Sequence, residues 1–348
     1  MESLPILGLL LGMLLFGSLV GKDRYRDLSL FYYFSACFFM VLVVRTRGWD
    51  FELYRLMFEA VALDNIEASW TEPGFLGVML LVKSLGGNFF AFNSLFALFF
   101  CYFFIRICKW VGYGFCFAAL FFFLFHFFRG PYGQLRQTIS VLLFLFSLRY
   151  LGSRPLPYLL INCFGALFHG VSLTALPLYC VFWIFRWNKS IAWASLLVTA
   201  FLIHAFLPYL VGLEVDLLFV NKVRYYLGLS DEKVAIYRAL ELPRIVFVSA
   251  VIFLIYPGFA RLSELEKILL ASYALGTYLF FIFSSDLRLA SRLTAPLLST
   301  DFLILANGLR YTYGVTRFLL VVSSTILGLA YLVGELLMMS ASVLKYSW

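Results

Sequence analysis

Residues 129–140, RGPYGQLRQTIS, set two guanidiniums, Arg129 and Arg136, on either side of a break in a strongly apolar chain. The break is made by Gly130, Pro131 and Gly133, residue types that release the backbone from regular structure. A new apolar helix is expected from about Gln134. Its first amides, and the positive end of its dipole, would face whatever lies beside Arg136 and Gln137. Two arginines and a helix N-terminus at a membrane surface suit a phosphate or diphosphate. The plainer reading is a charged loop that caps two spans.

Other candidates lie in segments expected on the same side. Arg45, Arg47, Arg129, Arg136, Arg224, Arg288 and Arg292 fall in four such segments. Ionisable groups near a membrane interior are costly and point to function. The alternative is that they reach headgroups or pair with Asp50, Glu52, Glu72 or Asp286. His169 stands beside a glycine at an expected turn, and an uncharged imidazole accepts a proton from a hydroxyl. His126 sits in the aromatic run 121–128 and His204 in another apolar run. Asp50 follows Gly48-Trp49, with Tyr54 one helical turn beyond. Glu72 precedes Pro73, so it caps a helix or orients a sugar hydroxyl. Trp49, Tyr54, Trp70, Tyr132, Tyr225 and Tyr226 suit stacking on sugar faces or an interfacial belt. No His, Cys or acidic residues have metal-ligand spacing, so neither a metal nor another cofactor is expected.

The elements that must hold these residues are read from hydropathy. Of 348 residues 63% are hydrophobic, the mean hydropathy is +0.93, and there are 41 Phe and 21 Tyr. A single soluble core cannot hide that much apolar side chain, so the solvent is lipid. The expectation is an all-α, polytopic integral membrane protein forming one domain over residues 1–348. About twelve spans are expected, near 4–20, 28–44, 89–107, 112–128, 134–151, 156–169, 171–185, 191–208, 244–257, 268–284, 294–310 and 318–337. Residues 4–20 are read as a span and not as a cleaved signal, lacking a basic leader and a small-residue cleavage site. Residues 75–85 are too short to cross ~30 Å of hydrocarbon and predict a re-entrant or half-span helix. Six cysteines lie in apolar runs without framework spacing and read as packing residues.

Charge then orients the chain. With 75–85 as a half-span, thirteen of the 27 Lys and Arg fall on one side with only four of the 19 acids. The other side is close to neutral. The basic excess marks the first side as cytoplasmic, which accounts for the net +8 without nucleic acid. The opposite face receives both termini and the loops 45–74, 129–137, 209–243 and 284–293. No P-loop or dinucleotide fingerprint is present.

Arg47-Gly48-Trp49-Asp50 with Tyr54, then Glu72-Pro73-Gly74-Phe75, then Leu135-Arg136-Gln137-Thr138, then Phe168-His169 followed by Ala175-Leu176-Pro177-Leu178-Tyr179, form an ordered series. In order and spacing the series resembles the EpsG family, a branch of the Wzy-type bacterial polysaccharide polymerases. Arg292 in ASRLTAPLL resembles the arginine of a later family motif, although Thr294-Ala295-Pro296 replaces its usual aromatic pair. The resemblance covers residues 28–190 well and 285–305 loosely.

It implies a glycosyltransferase that polymerises O-antigen or exopolysaccharide in the bacterial inner membrane, similar in architecture to GT-C enzymes, with its site facing the periplasm. Undecaprenyl-diphosphate-linked oligosaccharides would be both donor and acceptor. Membrane lipids, and a chain-length regulator, are the other partners to expect. The bottom-up reading agrees. A diphosphate leaves readily once cations neutralise its charge, which suits Arg129, Arg136 and Arg292. His169 is the first candidate for the base and Asp50 the second. Arg47, Tyr54, Glu72, Tyr132, Gln137, Arg224 and Arg288 are the expected sugar-binding or supporting residues. Two rival readings are an O-antigen ligase, which uses the same donor, and a flippase or transporter of lipid-linked sugars. A ligase usually carries a larger outer domain. A transporter would line a central path with charge, whereas here charge gathers on one face.

Overall fold

The computed structural model describes residues 24–46, 48–62, 71–111, 114–187, 232–258, 261–284 and 287–345, together with Gly8 and Gly12. Among the described residues the regular structure is helical. Among the described residues, four helices are long and apolar enough to cross a membrane: Asp27–Val44, Phe89–Trp110, Glu264–Ile282 and Gly314–Leu337. They carry large apolar side chains in the open, including Met40, Leu98, Phe281 and Phe318, as lipid-facing surfaces do.

Helix α1 (Arg24–Val44) packs antiparallel on α4 (Phe89–Val111). Phe31 meets Phe104 at 5.7 Å, the Cys101 thiol donates to the Ser35 carbonyl, and Arg45 bonds Asn93. Helix α5 (Phe115–Phe122) runs parallel to α1, and every one of its residues is buried. An all-apolar helix belongs in the interior, and this one is the central post of the fold. Its start is fixed from α1. The Asp27 carboxylate accepts from the amides of Phe115 and Cys116 at 3.0 and 2.9 Å, occupying donors that a helix N-terminus leaves unmet.

Between α1 and α4 stand two short helices, α2 (Phe51–Ala60) and α3 (Pro73–Ser84). The segment 45–74, expected as a loop, is thus partly helical. Helix α3 is 12 residues long, about 18 Å at 1.5 Å per residue. It stays beside the start of α4. Phe75 at its beginning packs on Phe92 and Phe96, and its end turns through Gly86 and Gly87 into Phe89. Gly86, at φ +75°, takes a backbone conformation that side chains resist. So α3 does not cross the fold.

Helix α5 passes into a π-turn at Phe123–Phe127, then a tight turn, then α6 (Leu135–Ser147), one residue later than the sequence suggested. Helices α7 (Pro155–Ala166) and α8 (Pro177–Trp187) follow, joined by a 3-10 turn at Gly170–Ala175. Helix α9 (Glu232–Ile255) begins well inside 209–243, so that segment is not a loop in its last dozen residues. Helices α10 (Glu264–Ile282), α11 (Leu287–Leu293), α12 (Ala295–Leu298), α13 (Asp301–Gly308) and α14 (Gly314–Lys345) complete the order. The span expected at 294–310 is two short helices, the second opening on a fully buried aspartate, and 284–293 is largely helical. Broken helices are tolerated at depth where protein surrounds them, and every residue of α13 is buried. The expected span 191–208 lies outside the described residues, as does nearly all of 4–20.

Candidate active site

Arg136 is the second residue of α6. Its Nη1 donates to Glu72 Oε2 at 2.7 Å, and its guanidinium lies over the rings of Tyr54 and Phe75, 5.9 Å from each centroid. Glu72 directly precedes α3 but makes no capping bond to its amides; the carboxylate turns to Arg136 instead. Tyr54 is wholly buried and donates to Asp50 Oδ2 at 3.2 Å. Asp50 precedes α2. Burial raises its carboxyl above the usual carboxylate range, while Arg292 and Arg136 both pull against that rise. Arginines 156 positions apart therefore act on one carboxylate. The Arg136 Nε–H is buried and finds no acceptor among the described residues.

The turn holding His169 is tied to three of the four elements that carry this cluster, α3, α6 and α11. Leu167 carbonyl accepts from Gly74 N at 2.8 Å, two residues past Glu72. His169 carbonyl accepts from Ser140 Oγ at 3.0 Å, one helical turn beyond Arg136. Thr174 Oγ1 donates to the Leu293 carbonyl at 2.7 Å, next to Arg292. Gly74 is required for the first contact: a Cβ there would stand 2.8 Å from the Leu167 carbonyl oxygen. The His169 ring caps its own 3-10 turn, with Nδ1 accepting from Val171 N at 3.3 Å.

The 129–134 turn is clamped from α1. Buried Arg45 sends Nη1 to the carbonyls of Pro131 (2.8 Å) and Tyr132, and Nε and Nη2 to Asn93 Oδ1 at 3.1 and 2.8 Å. Burial pushes the pKa of Arg45 down to about 10, since no carboxylate faces it. Gly133 permits the turn's closeness, because a Cβ there would lie 2.7 Å from the Phe128 carbonyl and from Trp49.

Behind the turn is a partly open cavity of about 60 Å³, walled by Phe122, Phe125, Val141 and Leu142 and edged by polar groups. Arg129 pairs with Glu241 of α9, and its Nη2 donates to Ser291 Oγ at 2.6 Å. Arg244, one turn beyond Glu241, lies 2.9 Å from it and 3.4 Å from Asp301. Asp301 in turn lies 2.6 Å from His126 Nε2. Tyr331 of α14 donates to Glu241 at 3.1 Å. The two clusters adjoin along the chain twice. Gln137, next to Arg136, and Ser291, next to Arg292, both line the cavity.

With this geometry in view, comparison with known families decides the membership. The EpsG family model matches residues 30–348. The chain belongs to the EpsG family. It is accordingly a polysaccharide-polymerase-type membrane protein. Neither a curated protein nor a solved structure matches it.

In this EpsG-family chain most of the expected residues that are described separate into two groups. Asp50, Tyr54, Glu72, Arg136 and Arg292 come together, with the His169 turn against their supporting elements. Arg129 and Gln137 are set instead on the cavity wall. Tyr132 joins neither group: it is buried against Phe127 and Phe128, and its carbonyl holds Arg45. Tyr54 offers no open ring face to a sugar, being packed on Phe75 at 5.2 Å. Arg47 and Arg224 lie outside the described residues. Arg288 is in α11, and its side chain is likewise outside them.

The sequence reading missed His126, Glu241, Arg244 and Asp301. A signal for them existed. Each is an ionisable residue within or beside an apolar run, a placement that by itself suggests a working role.

Proposed function

We propose that this EpsG-family protein is a glycosyltransferase that polymerises undecaprenyl-diphosphate-linked oligosaccharide repeats at the periplasmic face of the bacterial inner membrane. Arg136 and Arg292 grip the diphosphate, and the sugar it carries enters the cavity edged by Gln137 and Ser291. The growing chain moves from its lipid carrier to the end of a new lipid-linked repeat. One observation carries the reading: guanidiniums from α6 and α11 both act on one half-buried carboxylate, Asp50, and their neighbours Gln137 and Ser291 line a cavity. An isolated surface arginine has no need of such convergence. A cluster that must receive a doubly charged leaving group does, because cations fixed in a poorly solvated site stabilise charge that develops there.

Asp50 and Glu72 balance the two arginines before substrate arrives. Such buried groups are costly without partners, so the carboxylates keep the site folded when empty. The diphosphate then takes over the arginines. His169, held at the junction of α3, α6 and α11, orients the acceptor sugar. Sugar-facing roles for Arg47, Arg224 and Arg288 remain part of the proposal, as do about twelve spans in a GT-C-like arrangement.

The direct test is to incubate the purified protein with a defined undecaprenyl-diphosphate repeat unit alone. The expected result is a ladder of chain lengths without any nucleotide sugar. Transfer only to a lipid A-core acceptor would indicate a ligase, and movement of the lipid across vesicles without bond formation would indicate a transporter.

A further inference from the structure

We infer that His126, held by Asp301, is the catalytic base that takes the proton from the acceptor sugar hydroxyl. This rests on the glycosyl transfer proposed above and adds a residue to it. His126 lines the cavity with Arg129, Gln134, Gln137, Ser291 and Ser299. Its Nε2 lies 2.6 Å from Asp301 Oδ1, and Asp301 is completely buried. A carboxylate at that distance takes the Nε2 hydrogen and fixes the tautomer, as carboxylates do for catalytic imidazoles. Nδ1 is then the basic nitrogen, and among the described residues no side chain or amide engages it. The side chain is 15% exposed and lines the cavity. A structural histidine buried in an aromatic wall would satisfy both nitrogens within the protein. Here one is fixed and the other is left to the cavity.

Asp301 is the positioning residue. It is itself shared with Arg244, 3.4 Å away, which keeps it an anion. The other charged or titratable groups around this pair are Glu241 of α9, Arg129 one turn along from His126, Tyr273 of α10, and Tyr331 and Glu335 of α14. In the step, the hydroxyl proton passes to His126 Nδ1 as the hydroxyl oxygen bonds the anomeric carbon. The bond from that carbon to the diphosphate oxygen breaks, and its electron pair leaves with the diphosphate. The imidazolium, stabilised by Asp301, returns its proton to water at the cavity mouth.

The test measures initial rates of the purified full-length protein on the defined lipid-diphosphate repeat, as a function of pH. Wild type should lose rate as the pH is lowered. His126→Gln should lower kcat by about 10²- to 10⁴-fold with little change in KM and abolish that acid limb. Added imidazole should restore rate to His126→Gly, in which the lost side chain leaves room for it. Asp301→Asn should lower kcat while retaining a shifted acid limb. Size-exclusion elution and melting of each variant separate loss of fold from loss of chemistry. The inference is overturned if folded His126→Gln keeps the wild-type kcat and acid limb, or if the limb vanishes in His169→Gln instead. If wild type itself makes no polymer, the proposed reaction fails, and this assignment with it.

Discussion

Arg136 Nη1 lies 2.7 Å from Glu72 Oε2, although the two residues are 64 positions apart and belong to different helices. The contact turns a helix-leading glutamate into the counter-charge of an arginine that also covers the Tyr54 ring. Lysine cannot serve a carboxylate and a ring face together as the planar guanidinium does. Arg136→Lys should therefore keep the fold and lose at least about tenfold in kcat/KM, about 1.4 kcal/mol. Arg136→Ala should abolish the ladder. Rates on the lipid-linked repeat, beside melting curves of the same preparations, check both.

Asp50 makes the site's grip on substrate depend on pH. Its carboxyl is raised by burial, with Arg292 and Arg136 opposing. When it is ionised, the cluster of Asp50, Glu72, Arg136 and Arg292 is neutral. When it is protonated, the cluster carries one positive charge. Affinity for a lipid diphosphate should thus tighten as pH falls through the Asp50 pKa and weaken as pH rises. Asp50→Asn should bind tightly with that pH dependence gone. Binding of undecaprenyl diphosphate across the acidic range measures it, and an unchanged slope in Asp50→Asn would count against the role.

Arg45 is a matter of stability first. Its guanidinium satisfies Asn93 Oδ1 and two carbonyls of the 129–134 turn from a buried position. Arg45→Met leaves those acceptors unmet, at about 1–3 kcal/mol each. The variant should melt several degrees lower and lose activity with its fold, unlike Arg136→Lys. Thermal melting in detergent distinguishes the two.

Orientation is open to a labelling experiment. Ser153 and Gly170 are exposed at opposite ends of α7. In a chain whose native cysteines are replaced, Gly170→Cys should react with an impermeant reagent from outside the cell. Ser153→Cys should react only after the membrane is opened. The reverse pattern would turn the proposed face toward the cytoplasm.

Much of the frame was legible because hydropathy and turn chemistry are local. Residues 28–44 and 89–107 appear as α1 and α4, and Gly130, Pro131 and Gly133 mark a real break. Helix α3 was legible as a short helix ending at Gly86-Gly87. The charge network behind the break was not. His126 and Asp301 are 175 residues apart, and each stands alone in an apolar run. Only packing reveals that one answers the other. Glu241 fell in the expected loop 209–243 and Arg244 at the start of the span expected at 244–257, whereas one helix continues through Pro243 and buries both residues. Arg129 was likewise grouped with Arg136 by proximity in sequence, but the turn sends it to Glu241 and the cavity.

The account depends most on Arg136 and Arg292 acting as a unit on one diphosphate. A double-mutant cycle tests this: kcat/KM for the lipid-linked repeat in wild type, Arg136→Ala, Arg292→Ala and the pair. Shared work on one leaving group predicts that each single change removes most of the rate and the second adds little, a coupling of about 1–3 kcal/mol. Strictly additive losses, or a full-length ladder from either single variant, would contradict it.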